Sequence, residues 1–403
     1  MTATDRHQFA VGTWEDGGVL RSVVVVAFAA LCACAPPAPV HPRAVPPSAG
    51  ELPPPPDAKP DALRVTWTRV ATAADVPPPP PPGTFRLHLI DVGTGLALFV
   101  QGSDFAMLYD AGTNDRDEKP RRVAAYLAAA LGPSGDEDCV DVGAAKPTTR
   151  RAIDHVVLSH PHLDHASALE LVLHCYDVAH VWDSGRVHPT VFYRELLATV
   201  AKLPATYHTA ASVPADHTVM VKDLAITIPN WQRFSEGDEV RLGERAKFMI
   251  LHAEPKATGD PNENSVVLAL VLGDKRVLLV GDAESGPRKD PTYPLGDVEE
   301  FLVDHHAADI RADILQVGHH GSITSSRRDF LEVVKPSLAL VSSGPKTYGG
   351  KTLPDREVLD ELARIGATIL RTDERDGACP VSGRIGGDKG PGGCDTWVIT
   401  IGP

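Results

Sequence analysis

The chain has 403 residues, 43% hydrophobic and 23% charged, enough to bury a full core, and a formal net charge of −14. Acidity without a Lys/Arg run excludes a plain nucleic-acid-binding module that grips phosphates through basic side chains alone. It does not exclude an enzyme that handles phosphate through bound cations, because those reverse the sign of the local field.

The first element is "VLRSVVVVAFAALCACAPP", Val19 to Pro37. Arg21 precedes an apolar run from Ser22 to Leu31 that is too short to span a bilayer comfortably and ends in small residues, which predicts a secretory signal over 1–34. Leu31-Cys32-Ala33-Cys34 resembles a bacterial lipobox, which implies acylation of Cys34. The protein is then exported and either lipid-anchored in the cell envelope or secreted, and a lipid anchor is its only expected membrane contact. Residues 1–18 are mildly acidic where a signal carries positive charge, so the natural start is expected near Val19. A large share of the 36 prolines falls before residue 84. Such runs hold φ near the polyproline II value and remove backbone donors, so 35–83 reads as a disordered tether and 84–403 as one domain.

Within that domain, "FRLHLIDV", "LALFVQG" and "FAMLYDAG" alternate like strands of an antiparallel meander. "PRRVAAYLAAALG" follows as a helix with proline near its start and glycine past its end. "IDHVVLSH" is an apolar strand that runs into a histidine cluster. Further helices read at "TVFYRELLATVAK", "RRDFLEVVKP" and "DREVLDELARIG". Strands read at "LAITIP", "AKFMIL", "SVVLALVLGDKRVLLVGD", "ADILQVG", "LALVSSG", "ATILRT" and "TWVITIG". Strands lead and then alternate with helices, twice over. This predicts an α+β fold, an αββα sandwich of two mixed sheets with helices on the outer faces. Of the four cysteines past the signal, Cys379 and Cys394 flank a Gly-rich loop and are the favoured disulfide, and Cys139 with Cys175 is a second candidate pair.

The stretch "LSHPHLDHAS" places His160, His162, Asp164 and His165 within six residues at a strand end. In an extended segment His160 and His162 point the same way and can grip one ion, while Asp164 and His165 in the following turn can face a second. Imidazole and carboxylate donors without thiolate suit two divalent cations, zinc first and manganese as the alternative. "VLLVGDAE" and "ILQVGHHGS" end two further buried strands in Asp282 and in His319-His320. A carboxylate at such a place is costly unless a cation pairs with it. The three sites together predict one dinuclear pocket.

"LHLIDVGTG", "FAMLYDAG", "LSHPHLDH", "VWDSG", "NENSVVLALVLGDKRVLLVGDAE", "ADILQVGHHGSITSS" and "LRTDERDG" resemble, in order, the motifs of the metallo-β-lactamase fold, in its ComEC-like branch. The resemblance covers about Phe85 to Ile401. It implies His160, His162, Asp164 and His165 as metal ligands, Asp282 as the carboxylate bridging two ions, and one of His319 and His320 as the last ligand. Asp110 would support the ligand loop from behind. Ser322 would bind an anionic oxygen of the substrate, or else cap the helix that follows. His252, in "ILHAEP", reads as structural or supporting. The chain departs from the family at Leu96, where an acid is common, at Ala166-Ser167 for "GG", and after "YGG", where "KTLP" lacks a histidine before the proline. All metal positions remain, so the expected activity is hydrolysis by activated water of a small or polymeric phosphodiester, without stable nucleic-acid binding. Asp164 and Asp282 are the expected catalytic carboxylates. The alternatives are a lactam or lactone hydrolase of the same fold and a non-catalytic envelope-anchored binding protein with a vestigial site.

Overall fold

The computed structural model describes residues 46–54, 62–115, 121–135, 139, 150–256, 259–376, 385 and 393–403. The signal expected over 1–34, with Cys34, and Cys379 lie outside the described residues.

Two mixed sheets form the centre. The first has ten strands, in the order Ala49–Glu51, Arg64–Val70, Thr396–Gly402, Phe85–Leu89, Ala97–Gln101, Ala106–Ala111, Ala152–Val157, Asp177–Asp183, Thr206–Thr209 and Trp231–Arg233. It is antiparallel as far as Ala106–Ala111 and parallel from there on. The second has seven, in the order Glu239–Gly243, Ala246–His252, Val267–Leu272, Lys275–Leu279, Ile314–Gln316, Leu338–Val341 and Thr368–Arg371. It too begins antiparallel and turns parallel, after Lys275–Leu279. Each meander therefore hands over to strand–helix repeats, and parallel strands require such crossovers.

The burial pattern separates three cores, as four layers must. Leu87, Val100, Met107 and Tyr109 of the first sheet meet Phe248, Leu270, Val277 and Leu340 of the second. Outside the first sheet, Phe99, Leu108 and Val156 pack against Tyr126, Val172 and Leu197 of helices Arg121–Leu131, Leu169–Cys175 and Val191–Val200. Outside the second, Leu278, Leu315 and Ala339 pack against Leu302, Leu331 and Leu362 of Asp297–His306, Arg328–Val334 and Arg356–Arg364. Strands covered on both faces read as continuous apolar runs, which is why "SVVLALVL" and "LALV" lack alternation. The αββα sandwich is the observed fold.

The tether expected over 35–83 does not extend through its second half. Arg64–Val70 pairs along its whole length with the C-terminal strand Thr396–Gly402. Its residues "RVTWTRV" alternate, with Val65, Trp67 and Val70 buried, and the flanking prolines hid this pattern. Arg69 locks the pairing: its guanidinium lies 4.3 Å over the Trp397 ring and 3.2 Å from Asp395, and it also bonds Glu374.

Cys139 is bonded to Cys175, the second candidate pair, at the end of the helix Leu169–Cys175. Cys394 is also disulfide-bonded. The Cys139–Cys175 bridge closes a separation of 36 residues. Replacing Cys175 by Ser is expected to lower the unfolding free energy by about 2–4 kcal/mol, read as a shifted urea midpoint. An unmoved midpoint would mean that the loop is already held by its other contacts.

Candidate metal centre

The predicted residues converge where strands of both sheets end. Ala152–Val157 runs into Ser159 and His160, Lys275–Leu279 into Asp282, and Ile314–Gln316 into His319-His320. Two glycines allow this closeness. A Cβ on Gly112, in "LYDAG", would stand 2.4 Å from the backbone of Asp164 and His165. Gly281, in "VGD", has φ +58 and would meet the Ser159 Cβ at 2.7 Å. Asp110, His319 and His320 themselves hold left-handed φ values of 56, 46 and 54. Non-glycine residues in that region are strained, and such strain collects at functional sites.

His162 caps a single helical turn, Leu163–Ala166, that carries Asp164 and His165 inward. Two groups of potential ligands result: His160, His165 and Asp282, and Asp164, His165 and His320, all buried. Asp282 Oδ2 stands 4.0 Å from His160 Nε2, 3.2 Å from His165 Nε2 and 3.4 Å from His320 Nε2. His320 Nε2 lies 3.8 Å from Asp164 Oδ2. His162 adjoins the first group, its Nδ1 2.9 Å from His160 Nε2.

His319 belongs to neither group. Its Nε2 is 3.9 Å from Asp282, but its Nδ1 lies 2.6 Å from Glu284 and 2.9 Å from the Thr324 hydroxyl. His320 instead places Nδ1 2.9 Å from the Ser342 carbonyl, which leaves Nε2 facing the carboxylates. Of the two histidines, His320 has the ligand geometry.

Asp110 lies behind the cluster and is fully buried. Its Oδ1 accepts the Ser159 N–H at 2.7 Å, and its Oδ2 accepts the Ser159 hydroxyl at 2.6 Å and faces His165 Nδ1 at 2.8 Å. A carboxylate on one imidazole nitrogen fixes the tautomer and turns the other nitrogen toward the cavity. Burial holds the Asp110 carboxyl above the ordinary range despite His165.

Burial and neighbouring charge pull the cluster's groups in different directions: burial alone would lower His165, but Asp282 and Asp110 hold it well above its usual pKa. Burial drives His160 well below its usual pKa, and burial also lowers His162, so both imidazoles are neutral donors. Burial alone would raise Asp282 and Asp164; the histidines around them hold Asp282 well below, and Asp164 below, the carboxylate range. Asp282 Oδ1 is buried and makes no hydrogen bond among the described residues. An orphaned carboxylate oxygen among imidazoles, with no thiolate nearby, fits a borderline or hard divalent cation.

The cluster forms the floor of an open cavity of about 740 Å³ whose lining includes His162, Asp164, Asp282, His319, His320 and Ser322. Ser322 does not cap a helix. The next helix starts at Arg328 after Arg327, and the N–H groups of Ser326 and Arg327 are taken by Glu299. The Ser322 hydroxyl instead accepts from Arg288 at 3.0 Å.

His252 lies outside both ligand groups, its Nδ1 2.9 Å from the Ser265 carbonyl and its ring against Phe301. Leu96 is fully buried in the core between the sheets, and its N–H supports the Asp164 carbonyl at 2.9 Å. Sequence reading missed Tyr348, on the hairpin of Thr347–Tyr348 and Lys351–Thr352, whose hydroxyl donates to Asp164 Oδ2 at 3.0 Å. It also missed Glu284, although that residue closes the quoted "VGDAE".

Residues 90–344 match the model of the Metallo-beta-lactamase superfamily. The chain is 24% identical over 294 residues to ComE operon protein 3 of Bacillus subtilis, covering 72% of this chain and 32% of that protein. It is 24% identical over 291 residues to Recombination protein 2 of Haemophilus influenzae, covering 72% and 28%. The chain thus spans about a third of the length of these relatives. Among solved structures it is similar to the metallo-beta-lactamase fold protein YhfI from Bacillus subtilis, with TM-score 0.38 and 11% identity over 72% of this chain and 97% of that one. With 255 consecutive residues matched and the site motifs in order, the chain belongs to the metallo-β-lactamase superfamily, and its curated relatives include ComEC-like competence proteins.

Proposed function

We propose that the chain is a metal-dependent phosphodiesterase with a dinuclear site. The observation that carries this reading is the buried Asp282 carboxylate, shared between His160, His165 and His320, with one oxygen unpaired at the floor of an open cavity. His160, His162, Asp282 and His165, Asp164, His320 would hold two divalent ions, zinc first and manganese as the alternative. Such ions supply Lewis acidity and lower the pKa of water from 15.7 to about 7.

The protein's own groups have distinct tasks in this reading. Asp282 separates and balances the two cationic halves. Asp164 Oδ2, kept ionised by its histidine neighbours, orients the attacking water and accepts its proton. Tyr348 holds Asp164 Oδ2 by its hydroxyl and fixes which lone pair remains for that task. Ser322 stands on the cavity wall, where its hydroxyl can meet an anionic oxygen of the substrate.

The described residues contain no helix long and apolar enough to cross a membrane. We place the domain outside the cytoplasm, lipid-anchored through Cys34 or secreted, which agrees with the disulfide at Cys139–Cys175. The chain's net charge of −14 argues that affinity comes from the site and not from a long basic track.

The test is a substrate panel on the metal-loaded chain. Hydrolysis of bis(p-nitrophenyl) phosphate is expected to exceed turnover of a cephalosporin, and binding of long DNA to be weak and salt-tolerant. Tight DNA binding lost between about 50 and 200 mM salt would reveal a many-phosphate groove instead. Faster cephalosporin turnover would assign the site to lactam hydrolysis.

A further inference from the structure

The two Lys/Arg side chains among the described residues of the cavity wall are Arg288 and Lys351. Arg288 is held in one plane: its Nη2 donates to both Asp355 oxygens, at 2.6 and 2.7 Å, and Asp355 also accepts the Ile323 N–H at 2.8 Å. That contact uses one end of the guanidinium. The other end, Nη1, donates to the Ser322 hydroxyl at 3.0 Å. The Ser322 and Thr324 hydroxyls are 2.9 Å apart, and Thr324 is 2.9 Å from His319, whose Nε2 is 3.9 Å from Asp282. A chain of polar contacts therefore runs from the held guanidinium through Ser322 and Thr324 to His319, whose Nδ1 also lies 2.6 Å from the Glu284 carboxylate. The lining also includes Leu163, His188 and Phe192.

We propose that Arg288, Ser322 and Thr324 form a seat for a second phosphate of the substrate, next to the ester that is cleaved. This rests on the phosphodiester reading. Asp355 alone would satisfy a structural arginine. A pre-oriented fork with one end turned to a cavity hydroxyl, Ser322, that itself meets Thr324 is an arrangement that can recognise a tetrahedral oxyanion, and little side-chain freedom is lost on binding. The second anion lies beside Arg288, and the preferred substrate is a phosphodiester that carries one further phosphate.

The test is isothermal titration of thymidine 3′,5′-bisphosphate and thymidine 5′-monophosphate into the metal-loaded full chain. The wild type is expected to bind the bisphosphate about tenfold or more tightly, the order that a charge-assisted hydrogen bond supplies. Arg288→Met should reduce this preference to about twofold or less, Arg288→Lys should retain part of it, and Ser322→Ala should narrow it. Equal affinities in the wild type, no binding of either ligand, or a preference that survives in Arg288→Met would each overturn the seat. Hydrolysis of bis(p-nitrophenyl) phosphate by a wild type without that preference would keep the phosphodiesterase and remove only the seat. An intact preference without hydrolysis would do the reverse.

Discussion

Asp282→Asn is expected to lower turnover at saturating metal by about 10³-fold or more while the domain stays folded. The amide has nearly the same shape, so the ends of Lys275–Leu279 and Ile314–Gln316 keep their packing. What disappears is the charge that lies between 3.2 and 4.0 Å from four histidine nitrogens. Those imidazoles would then surround a neutral group, and a cation held there would lose its shared counter-charge. Steady-state kinetics with a thermal melt on the same sample checks both halves of the expectation. Wild-type turnover in a folded Asp282→Asn chain would sink the proposed mechanism.

Asp110→Asn is expected to weaken metal affinity by about 10–100-fold, although Asp110 belongs to neither ligand group. Asparagine tolerates the left-handed backbone that Asp110 holds at φ 56, so the effect isolates the charge from the strain. The carboxylate faces His165 Nδ1 at 2.8 Å and takes both donors of Ser159, so it fixes the ring that belongs to both ligand groups. An amide can present its NH₂ to the ring and favour the wrong tautomer. Competition against a chelating dye measures the affinity. An unchanged constant would mean that packing alone orients His165.

The ligand-bearing stretch was legible because four donors fall in six residues at the end of an apolar strand. Asp282 and His320 were legible from the same logic, a polar residue just past a fully buried run. The choice between His319 and His320 was not, since it depends on which ring turns to the Ser342 carbonyl and which to Glu284. Tyr348 was hidden because its bond to Asp164 spans 184 positions. Nothing local in "KTYGGKT" says that the hairpin folds over the site.

The fold class followed from the order of strands and helices, but the edges did not. Arg64–Val70 is framed by proline and reads as tether until its partner Thr396–Gly402 is seen. Short strands such as Thr206–Thr209 and Trp231–Arg233 have too few residues for a period to show.

The proposed dinuclear centre is tested most directly by counting metal. Inductively coupled plasma mass spectrometry of the chain, purified without chelator and reconstituted with zinc or manganese, is expected to give two ions per wild-type molecule and fewer in Asp282→Asn. A folded wild-type chain that hydrolyses bis(p-nitrophenyl) phosphate after exhaustive removal of metal, with no ion bound, would contradict it.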